Sequence, residues 1–377
     1  EEPLKVSGAA IFNERLYRYF ISMGHDVHII RFAKHPHNRR HISEIPYYIA
    51  EERSYILVPS EQTLAIFTKK LQSFKPDIVY TQAGLTPLDF FLPGICHKLH
   101  IPIASVWHMD LNDKPSAYKW LLSTAFLTYT PFCQQLDMAH VFSDHLKNFF
   151  SGHGVNPRSI HVIPNGVNTA FYTPGRSTFA ETHAIQTGIL FLGRLTFQKN
   201  PEVLIKSFLA VNPPSGTKLV LAGFGELEKP LRQKYHDPRV IFTGVIRNEE
   251  EKRDIIRGCQ IFVLPSRYEG MSLALLEAMS CGLGCIVSDV GDNAQILRGA
   301  GVIIPFEKLP QRLPVALARL LASPLKISQL GKKARTITER FHNEEKIVKK
   351  ILAAFTRTIS DFSSRHKPVI APPTVDK

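Results

Sequence analysis

The 377-residue sequence lacks the features that mark membrane-spanning, disulfide-stabilised or disordered proteins. Its longest uncharged stretch, from Trp120 to Leu136, is interrupted by polar residues and a proline, which excludes a membrane span. The five cysteines stand in apolar surroundings, which favours reduced, buried thiols. Hydrophobic residues make up 44% and charged residues 21%, a composition typical of a globular protein with a large interior. Neither a basic nor an apolar leader segment opens the chain, so we expect a cytoplasmic protein.

The net charge of +13 is distributed unevenly. Residues 301–377 carry fifteen Lys and Arg against six Asp and Glu, a difference of +9. This basic region favours either peripheral contact with an anionic membrane, at its inner face, or a solvated helical surface. We find no nucleic-acid docking motif, and the histidines near Arg39 lack the acidic or cysteine companions of a metal site. We therefore expect neither a nucleic-acid partner nor a metal site.

Short apolar runs alternate with helical patterns along most of the chain, which predicts an α/β fold with parallel sheets. A helix is predicted over 9–23, and amphipathic helices over 311–360. Strands are predicted at 26–30, 78–80, 101–106, 140–143, 159–163, 188–192, 218–222, 240–242, 260–264, 284–287 and 301–304.

Length and a turn-rich segment at 164–168 indicate two domains. We assign an N-terminal domain to 1–168 and a C-terminal domain to 169–345. A last helix over 346–362 would cross back to the first domain, and 363–377 would form a disordered tail. Because only short, mostly polar sequence precedes Gly8, we expect the first central strand, and with it the native start, to be missing.

Two loops that follow predicted strands contain glycines next to chemically useful side chains. Gly193 is followed by Arg194 and Lys199, a forked donor and a point charge that could hold a diphosphate or simply be solvated. Gly223 and Gly225 permit either a tight turn beside a ligand or close packing of the backbone.

The strongest signal lies after the strand at 260–264, where Glu269 and Gly270 precede a helix. Open amides near Met271, Ser272 and Leu273, together with the helix dipole, would favour a phosphate. Glu277 lies eight residues after Glu269, or about 12 Å along a helix, roughly the reach from the sugar of a nucleotide sugar to its ribose. Glu269 could then accept hydrogen bonds from sugar hydroxyls and Glu277 from ribose hydroxyls. The alternative for Glu277 is a helix carboxylate at a domain surface.

In these loops and in several further segments, the chain resembles the retaining glycosyltransferases of family four. Members of that family have the GT-B fold of two facing Rossmann-like domains around an interdomain cleft. The matching segments are Gly193-Arg194 with Lys199, Gly223-Phe224-Gly225, Val240 to Gly244, the pair Glu269 and Glu277, Pro164 to Val167, and Gly291-Asp292-Asn293. The resemblance extends to about Thr358. Gln295 departs from the glutamate that family members often carry there.

The resemblance implies that the C-terminal domain holds a nucleotide-diphosphate sugar and the N-terminal domain the acceptor. Arg194 and Lys199 would stabilise the leaving diphosphate, while Glu269 would hold the donor sugar. His108, at the end of its strand, matches a family histidine near that sugar, although a satisfied strand-end histidine is the alternative. Gly8 matches a glycine loop that approaches donor and acceptor.

The sequence thus predicts a hexosyltransferase that uses a UDP- or GDP-sugar and a glycan or lipid acceptor, with retention, no cofactor and no required metal. Two alternatives stay open at this point. One is a GT-B nucleotide-sugar epimerase or hydrolase, and the other is a catalytically silent module that docks to membranes.

Overall fold

The computed structural model describes residues 8–33, 41–46, 48–51, 54–83, 86–108 and 127–365. Within these ranges the chain forms two compact units. The first unit contains the described residues up to His108, those from 127 to Ile163, and those from Val348 onward. The second unit contains Pro164–Ile347. Residues 1–7, where a first strand is expected to be missing, and 366–377 of the predicted tail lie outside the described residues.

The first unit is built around a parallel four-stranded sheet in the order β5-β6-β7-β8. Two further strand pairs accompany it, β1 with β2 in parallel and β3 with β4 antiparallel. Its strands are β1 (Ile29–Ala33), β2 (Ile42–Pro46), β3 (Tyr48–Glu51), β4 (Ser54–Val58), β5 (Val79–Gln82), β6 (Ile103–Val106), β7 (Met138–Val141) and β8 (Ile160–Val162). Its helices are α1 (Gly8–Ser22), α2 (Glu61–Phe74), α3 (Leu92–Lys98), α4 (127–134) and α5 (Asp144–Gly152), with a 3₁₀ turn at Pro87–Phe90.

The end of the last helix of the chain, α14 (Glu344–Arg365), packs within this first unit. The ring of Phe355 lies 6.0 Å from that of Phe20 and 5.0 Å from that of Tyr80. Arg365 donates to the buried Asp137 carboxylate at 2.9 Å. Because this ion pair gives the final turn a partner, α14 continues through Arg365, and the predicted start of the tail at 363 is too early.

The second unit contains a six-stranded, all-parallel sheet in the order β11-β10-β9-β12-β13-β14. Its strands are β9 (Thr187–Leu192), β10 (Thr217–Ala222), β11 (Val240–Gly244), β12 (Ile261–Leu264), β13 (Gly284–Ser288) and β14 (Gly301–Ile304). Its helices are α6 (Thr178–Thr182), α7 (Pro201–Val211), α8 (Glu228–Lys234), α9 (Glu249–Arg257), α10 (Leu273–Ser280), α11 (Asn293–Leu297), α12 (Leu309–Leu321) and α13 (Pro324–Phe341), with a 3₁₀ turn at Phe306–Lys308 and the first residues of α14.

Both faces of this sheet are buried, which explains why its strands are continuous apolar runs. Along β9, Leu190 and Leu192 pack into one hydrophobic cluster while Ile189 and Phe191 pack into another. Helices α9 and α10 contribute to the first cluster, and α7 and α12 to the second. The predicted α/β class and the parallel sheets are confirmed. Each predicted strand overlaps an observed one, but the strand predicted at 26–30 forms three residues later, at Ile29–Ala33, and that predicted at 140–143 forms two residues earlier, at Met138–Val141. None of the helices in the described ranges is both long and apolar enough to span a membrane.

Candidate functional site

The strand order of the second unit places one site at the carboxyl ends of β9 and β12. The chain runs from β9 to β10 on one side, and the next strand on the other side of β9 is β12. In open parallel sheets the crevice at such a reversal of strand order is where ligands bind. The loop after β9 carries Arg194 and Lys199, and the loop after β12 carries Glu269. The sheet therefore brings together residues about 70 positions apart in sequence.

Lys199 and Glu269 form a close ion pair between these two loops. The ammonium nitrogen of Lys199 lies 2.7 Å from Oε1 and 2.6 Å from Oε2 of Glu269. Only 16% of the lysine side chain and 8% of the glutamate side chain are exposed. An ammonium has three N–H donors, so Lys199 can bind this carboxylate and still offer a donor to a ligand. The two residues that the sequence assigned to diphosphate and sugar thus lie side by side.

The backbones of the two loops are also joined. The amide of Arg267 donates to the carbonyl of Gln198 at 2.8 Å, and the side chain of Gln198 donates to the carbonyl of Tyr268 at 3.1 Å. The side chain of Asn200 donates to the carbonyl of Pro265 at 3.3 Å. These contacts fix the loops relative to each other, which is what a preorganised binding site requires.

Arg194 differs from Lys199 in being exposed. Its guanidinium makes no ion pair or hydrogen bond with any residue in the described part of the chain. Because the charges of Lys199 and Glu269 compensate each other, the positive charge of these loops comes from the exposed Arg194 and from Arg267, whose guanidinium lies 4.0 Å from the centre of the Phe197 ring. An exposed guanidinium offers a fork of donors that suits a doubly anionic group.

The glycines of the loops after β9 and β10 serve different purposes. A Cβ on Gly223 would lie 2.2 Å from the carbonyl oxygen of Gly193, and one on Gly225 would lie 2.5 Å from that of Leu195. The close packing of the loop after β10 against the backbone of the loop after β9 therefore requires glycine at both positions, and their predicted contact with a donor stays a prediction. Gly193, at φ +149°, has no atom within 4 Å of an added Cβ, so it leaves open space next to Arg194.

Helix α10 begins at Leu273, three residues after Gly270. Ser272 caps the helix by accepting a hydrogen bond from the amide of Leu275 at 3.3 Å. The amides of Met271, Ser272 and Leu273 donate no hydrogen bond within the part of the chain that the structure describes. Such open amides, with the positive end of the helix dipole, form an anion-binding site.

Two segments that the sequence did not connect with this site hold its loops in place. The side chain of Asn165 donates to the carbonyl of Met271 at 3.1 Å, so the turn-rich segment 164–168 supports the start of α10. Gly291, at φ +53°, follows β13 and lies very close to the loop after β12. A Cβ on Gly291 would be 1.8 Å from the carbonyl oxygen of Glu269. Both residues belong to motifs matched on the sequence, but their contacts depend on the folded arrangement.

Glu277 lies on α10 one turn beyond Leu273 and is 2% exposed. Its Oε1 accepts a hydrogen bond at 3.1 Å from the ammonium of Lys252, which is itself buried. Glu277 is therefore not a carboxylate at a domain surface, the alternative that the sequence left open. Lys252 was missed because its helix, α9, reads as a charged, solvent-facing segment.

His108 and Gly8, the other two predicted site residues, belong to the first unit. His108 follows β6, and its ring packs between those of Phe12, at 5.2 Å, and Phe142, at 5.0 Å. Burial lowers the pKa of His108 to about 4, so its imidazole is neutral at physiological pH. Its buried Nε2 has no hydrogen-bond partner in the described structure, which does not fit the alternative of a satisfied strand-end histidine. Gly8 is the first residue of α1.

This fold and this set of loops define a class of enzyme, the GT-B glycosyltransferases with two Rossmann-like domains. Two family models match the chain: "Glycosyltransferase Family 4" over residues 6–171 and "Glycosyl transferases group 1" over residues 186–323. The chain belongs to this glycosyltransferase family, as the resemblance in its motifs predicted.

Curated relatives agree with this assignment. An uncharacterized glycosyltransferase of Methanocaldococcus jannaschii is 25% identical over 85% of this chain and 86% of its own length. The UDP-Gal:alpha-D-GlcNAc-diphosphoundecaprenol alpha-1,3-galactosyltransferase of Escherichia coli is 29% identical over 64% of this chain, and the match spans 65% of that protein.

Solved structures share the fold across nearly the whole chain. Sucrose-phosphate synthase from Thermosynechococcus elongatus has a TM-score of 0.74 at 20% identity and covers 94% of both chains. The Anabaena protein HepE, solved in complex with UDP-glucose, has a TM-score of 0.74 at 14% identity over 95% of this chain and 98% of its own. These likenesses confirm the predicted GT-B fold.

Proposed function

We propose that this glycosyltransferase moves a hexose-type sugar from a UDP- or GDP-sugar to a glycan or lipid acceptor with retention of configuration. The observation that carries the proposal is the convergence of Arg194, the Lys199–Glu269 pair and the open amides of α10 at one reversal of strand order. An anion and a polyhydroxyl group are the ligands that such a set of groups suits together.

The charges of the site follow the layout of a nucleotide sugar. Arg194, in the loop after β9, and the dipole at the start of α10 supply positive potential for a diphosphate. Glu277 lies four residues beyond Leu273, about 6 Å along α10 from the open amides at its start, at 1.5 Å per residue. A buried carboxylate at that distance suits the neutral hydroxyls of a ribose, whereas a phosphate there would be repelled.

We propose that catalysis depends mainly on stabilising the leaving diphosphate. Negative charge develops on that group as the bond to the sugar breaks, and donors fixed in advance stabilise it most effectively. Arg194, Lys199 and the amides of Met271 and Ser272 supply these donors. No bound metal or cofactor is needed in this scheme, and full activity in excess EDTA would support that part of it.

We propose that Glu269 holds the donor sugar, while the contact of His108 with a sugar hydroxyl stays a prediction. A neutral imidazole can donate or accept a hydrogen bond without adding charge, which suits a sugar hydroxyl. Gly8, at the start of α1, would allow the backbone to approach donor and acceptor closely.

The curated relative from Escherichia coli supports the donor and acceptor classes. Its name describes transfer of galactose from a UDP-sugar to a sugar linked to diphosphoundecaprenol. A UDP-hexose and a lipid-linked glycan are therefore the first pair to test on this chain.

The test begins with a thermal-shift screen of UDP-, GDP- and ADP-sugars, since a ligand that binds the native state raises its melting temperature. Turnover with the selected donor is then followed by product analysis, with the anomeric configuration read by NMR. Formation of a glycoside with the donor's configuration is expected. Free sugar or an epimerised nucleotide sugar as the only product would point to a hydrolase or epimerase, and donor binding without any turnover to a silent module.

The role of Arg194 is tested by its replacement with Ala. Loss of one donor to the developing charge should reduce turnover by about 2–4 kcal/mol of transition-state stabilisation. Arg176→Ala is the matched control, because Arg176 is also an exposed arginine of the second unit. Equal turnover in the two variants would reject this role.

We also propose that the basic helices α12 and α13 contact an anionic membrane surface. Across 309–341 the chain has a single acid, Glu339, and seven basic residues: Arg312, Arg319, Lys326, Lys332, Lys333, Arg335 and Arg340. Each basic residue near an anionic surface contributes about 1 kcal/mol. Co-sedimentation with phosphatidylglycerol vesicles that is lost with phosphatidylcholine vesicles is the expected result.

A further inference from the structure

We propose that Lys252 is a positioning residue that holds the Glu277 carboxylate in the orientation in which it accepts a ribose hydroxyl. Through that contact, Lys252 would set the preference of the site for ribonucleotides over deoxyribonucleotides. This inference rests on the proposed function, because it assumes that a nucleoside diphosphate lies along α10.

The contact joins two helices that the sequence gives no reason to pair. Lys252, on α9, and Glu277, on α10, are 25 residues apart, and their side chains are only 11% and 3% exposed. The Nζ–Oε1 distance is 3.1 Å. A buried carboxylate held by a buried ammonium has far less freedom to change its side-chain rotamer than one at a surface.

The lysine is itself held by a third group. Its Nζ lies 2.6 Å from Oε1 of Glu249, in the first turn of α9. The hydroxyl of Tyr172 donates to Oε2 of the same glutamate at 2.6 Å, and the Tyr172 ring lies 5.6 Å from the lysine ammonium. Tyr172 is in turn anchored through its carbonyl, which accepts from the hydroxyl of Ser280 at 2.6 Å. The chain Tyr172–Glu249–Lys252–Glu277 therefore ends at the residue proposed to bind ribose.

The charge of this cluster suits a hydroxyl ligand. Two carboxylates and one ammonium leave a net charge of −1, so a hydroxyl hydrogen is attracted and a phosphate is repelled. A carboxylate has about four lone-pair sites, so binding Lys252 and accepting from a ribose hydroxyl are compatible. Removal of the lysine would take away a buried contact that fixes the direction of the Glu277 carboxylate.

The experiment compares the binding of UDP with that of 2′-deoxy-UDP, and of GDP with 2′-deoxy-GDP, by isothermal titration to the full chain. The variants are Lys252→Met, Lys252→Gln and Lys252→Arg. Glu250→Gln is the matched control, since Glu250 is an exposed charged residue on the same turn of α9. Melting curves establish which variants are folded, and Lys252→Gln and Lys252→Arg carry the test if the methionine variant does not fold.

The wild-type chain is expected to bind the preferred ribonucleotide about ten- to a hundred-fold more tightly than its deoxy form, the range of one hydrogen bond to a charged group. In Lys252→Met and Lys252→Gln this ratio should fall to about three-fold or less, with the affinity for the deoxy form unchanged. Lys252→Arg should keep most of the discrimination, and Glu250→Gln all of it.

A ratio that stays at its wild-type value in Lys252→Met or Lys252→Gln would overturn the inference, and so would an equal loss of affinity for both forms, since a merely structural lysine would act in that way. Failure of the proposed function looks different. In that case the wild-type chain binds none of the four nucleotides.

Discussion

Replacement of Gly291 by Ala should disrupt the proposed donor site far more than the loss of a glycine by itself would. Gly291 has φ +53°, and a Cβ there would lie 1.8 Å from the carbonyl oxygen and 2.7 Å from the carbonyl carbon of Glu269. Both are backbone atoms, so no side chain can rotate away to relieve the overlap. Contacts of a Cβ begin near 3.0 Å, so the two loops must separate by about 1.2 Å.

Gly299 provides the control, because it has the same kind of backbone conformation without the overlap. It lies at φ +79°, and nothing is within 4 Å of an added Cβ. Gly299→Ala should therefore cost only the strain of a left-handed conformation, about 1 kcal/mol of unfolding free energy. Gly291→Ala carries the same strain and in addition displaces the loop that contains Glu269 and precedes α10.

A displacement of about 1 Å in a catalytic site can reduce the rate about a hundred-fold. We therefore expect kcat/KM of Gly291→Ala to fall about a hundred-fold, with the thermal shift by the donor largely lost, while Gly299→Ala keeps both. Melting temperatures of the two variants without ligand separate loss of fold from loss of the site. Wild-type donor affinity in Gly291→Ala would refute the assignment of this loop to the site.

Two further predictions concern the first unit's acid stability and the thiols. Burial by itself would raise the pKa of Asp137, but hydrogen bonds from His97 and from the Ile103 amide, with the charge of Arg365, lower it below its usual range. The stability from Asp137 is thus present above about pH 4, the pKa of an unfolded aspartate, and is lost as the pH falls through its lower folded value. Asp137→Asn should reduce the unfolding free energy at pH 7 by about 1–3 kcal/mol and flatten its acid dependence, as measured by urea titration. All five cysteines are buried and free, and burial raises the pKa of Cys259, so a thiol reagent at pH 8 should label the native chain only at its unfolding rate.

The sequence is sufficient to predict most of the strands of the second unit. Its strands are buried on both faces, so they appear as continuous apolar runs, and each is followed by a loop with recognisable turn residues. Leu264 ends β12, where the apolar run changes to a polar loop. Ser272 caps the start of α10, where the polar loop changes back to an apolar run. Strands β2 to β4 of the first unit were missed because their residues mix charged and apolar side chains without a clear period.

The sequence could not predict contacts between positions far apart along the chain. Whether Gly223 is a glycine for a ligand or for packing depends on the carbonyl of Gly193, about 30 residues earlier, and only the sheet order places the two together. The pairing of Lys252 with Glu277 likewise depends on how α9 and α10 pack on the sheet. Local pattern indicated the candidate site residues, whereas tertiary structure determined which residues they contact.

The most direct test of the account is a structure of the chain with the nucleoside diphosphate that the thermal-shift screen selects. We expect density for the two phosphates within hydrogen-bond distance of the Arg194 guanidinium, the Lys199 ammonium and the amides of Met271 and Ser272. Phosphates bound away from the start of α10, with Arg194 and Lys199 making no contact to them, would contradict it.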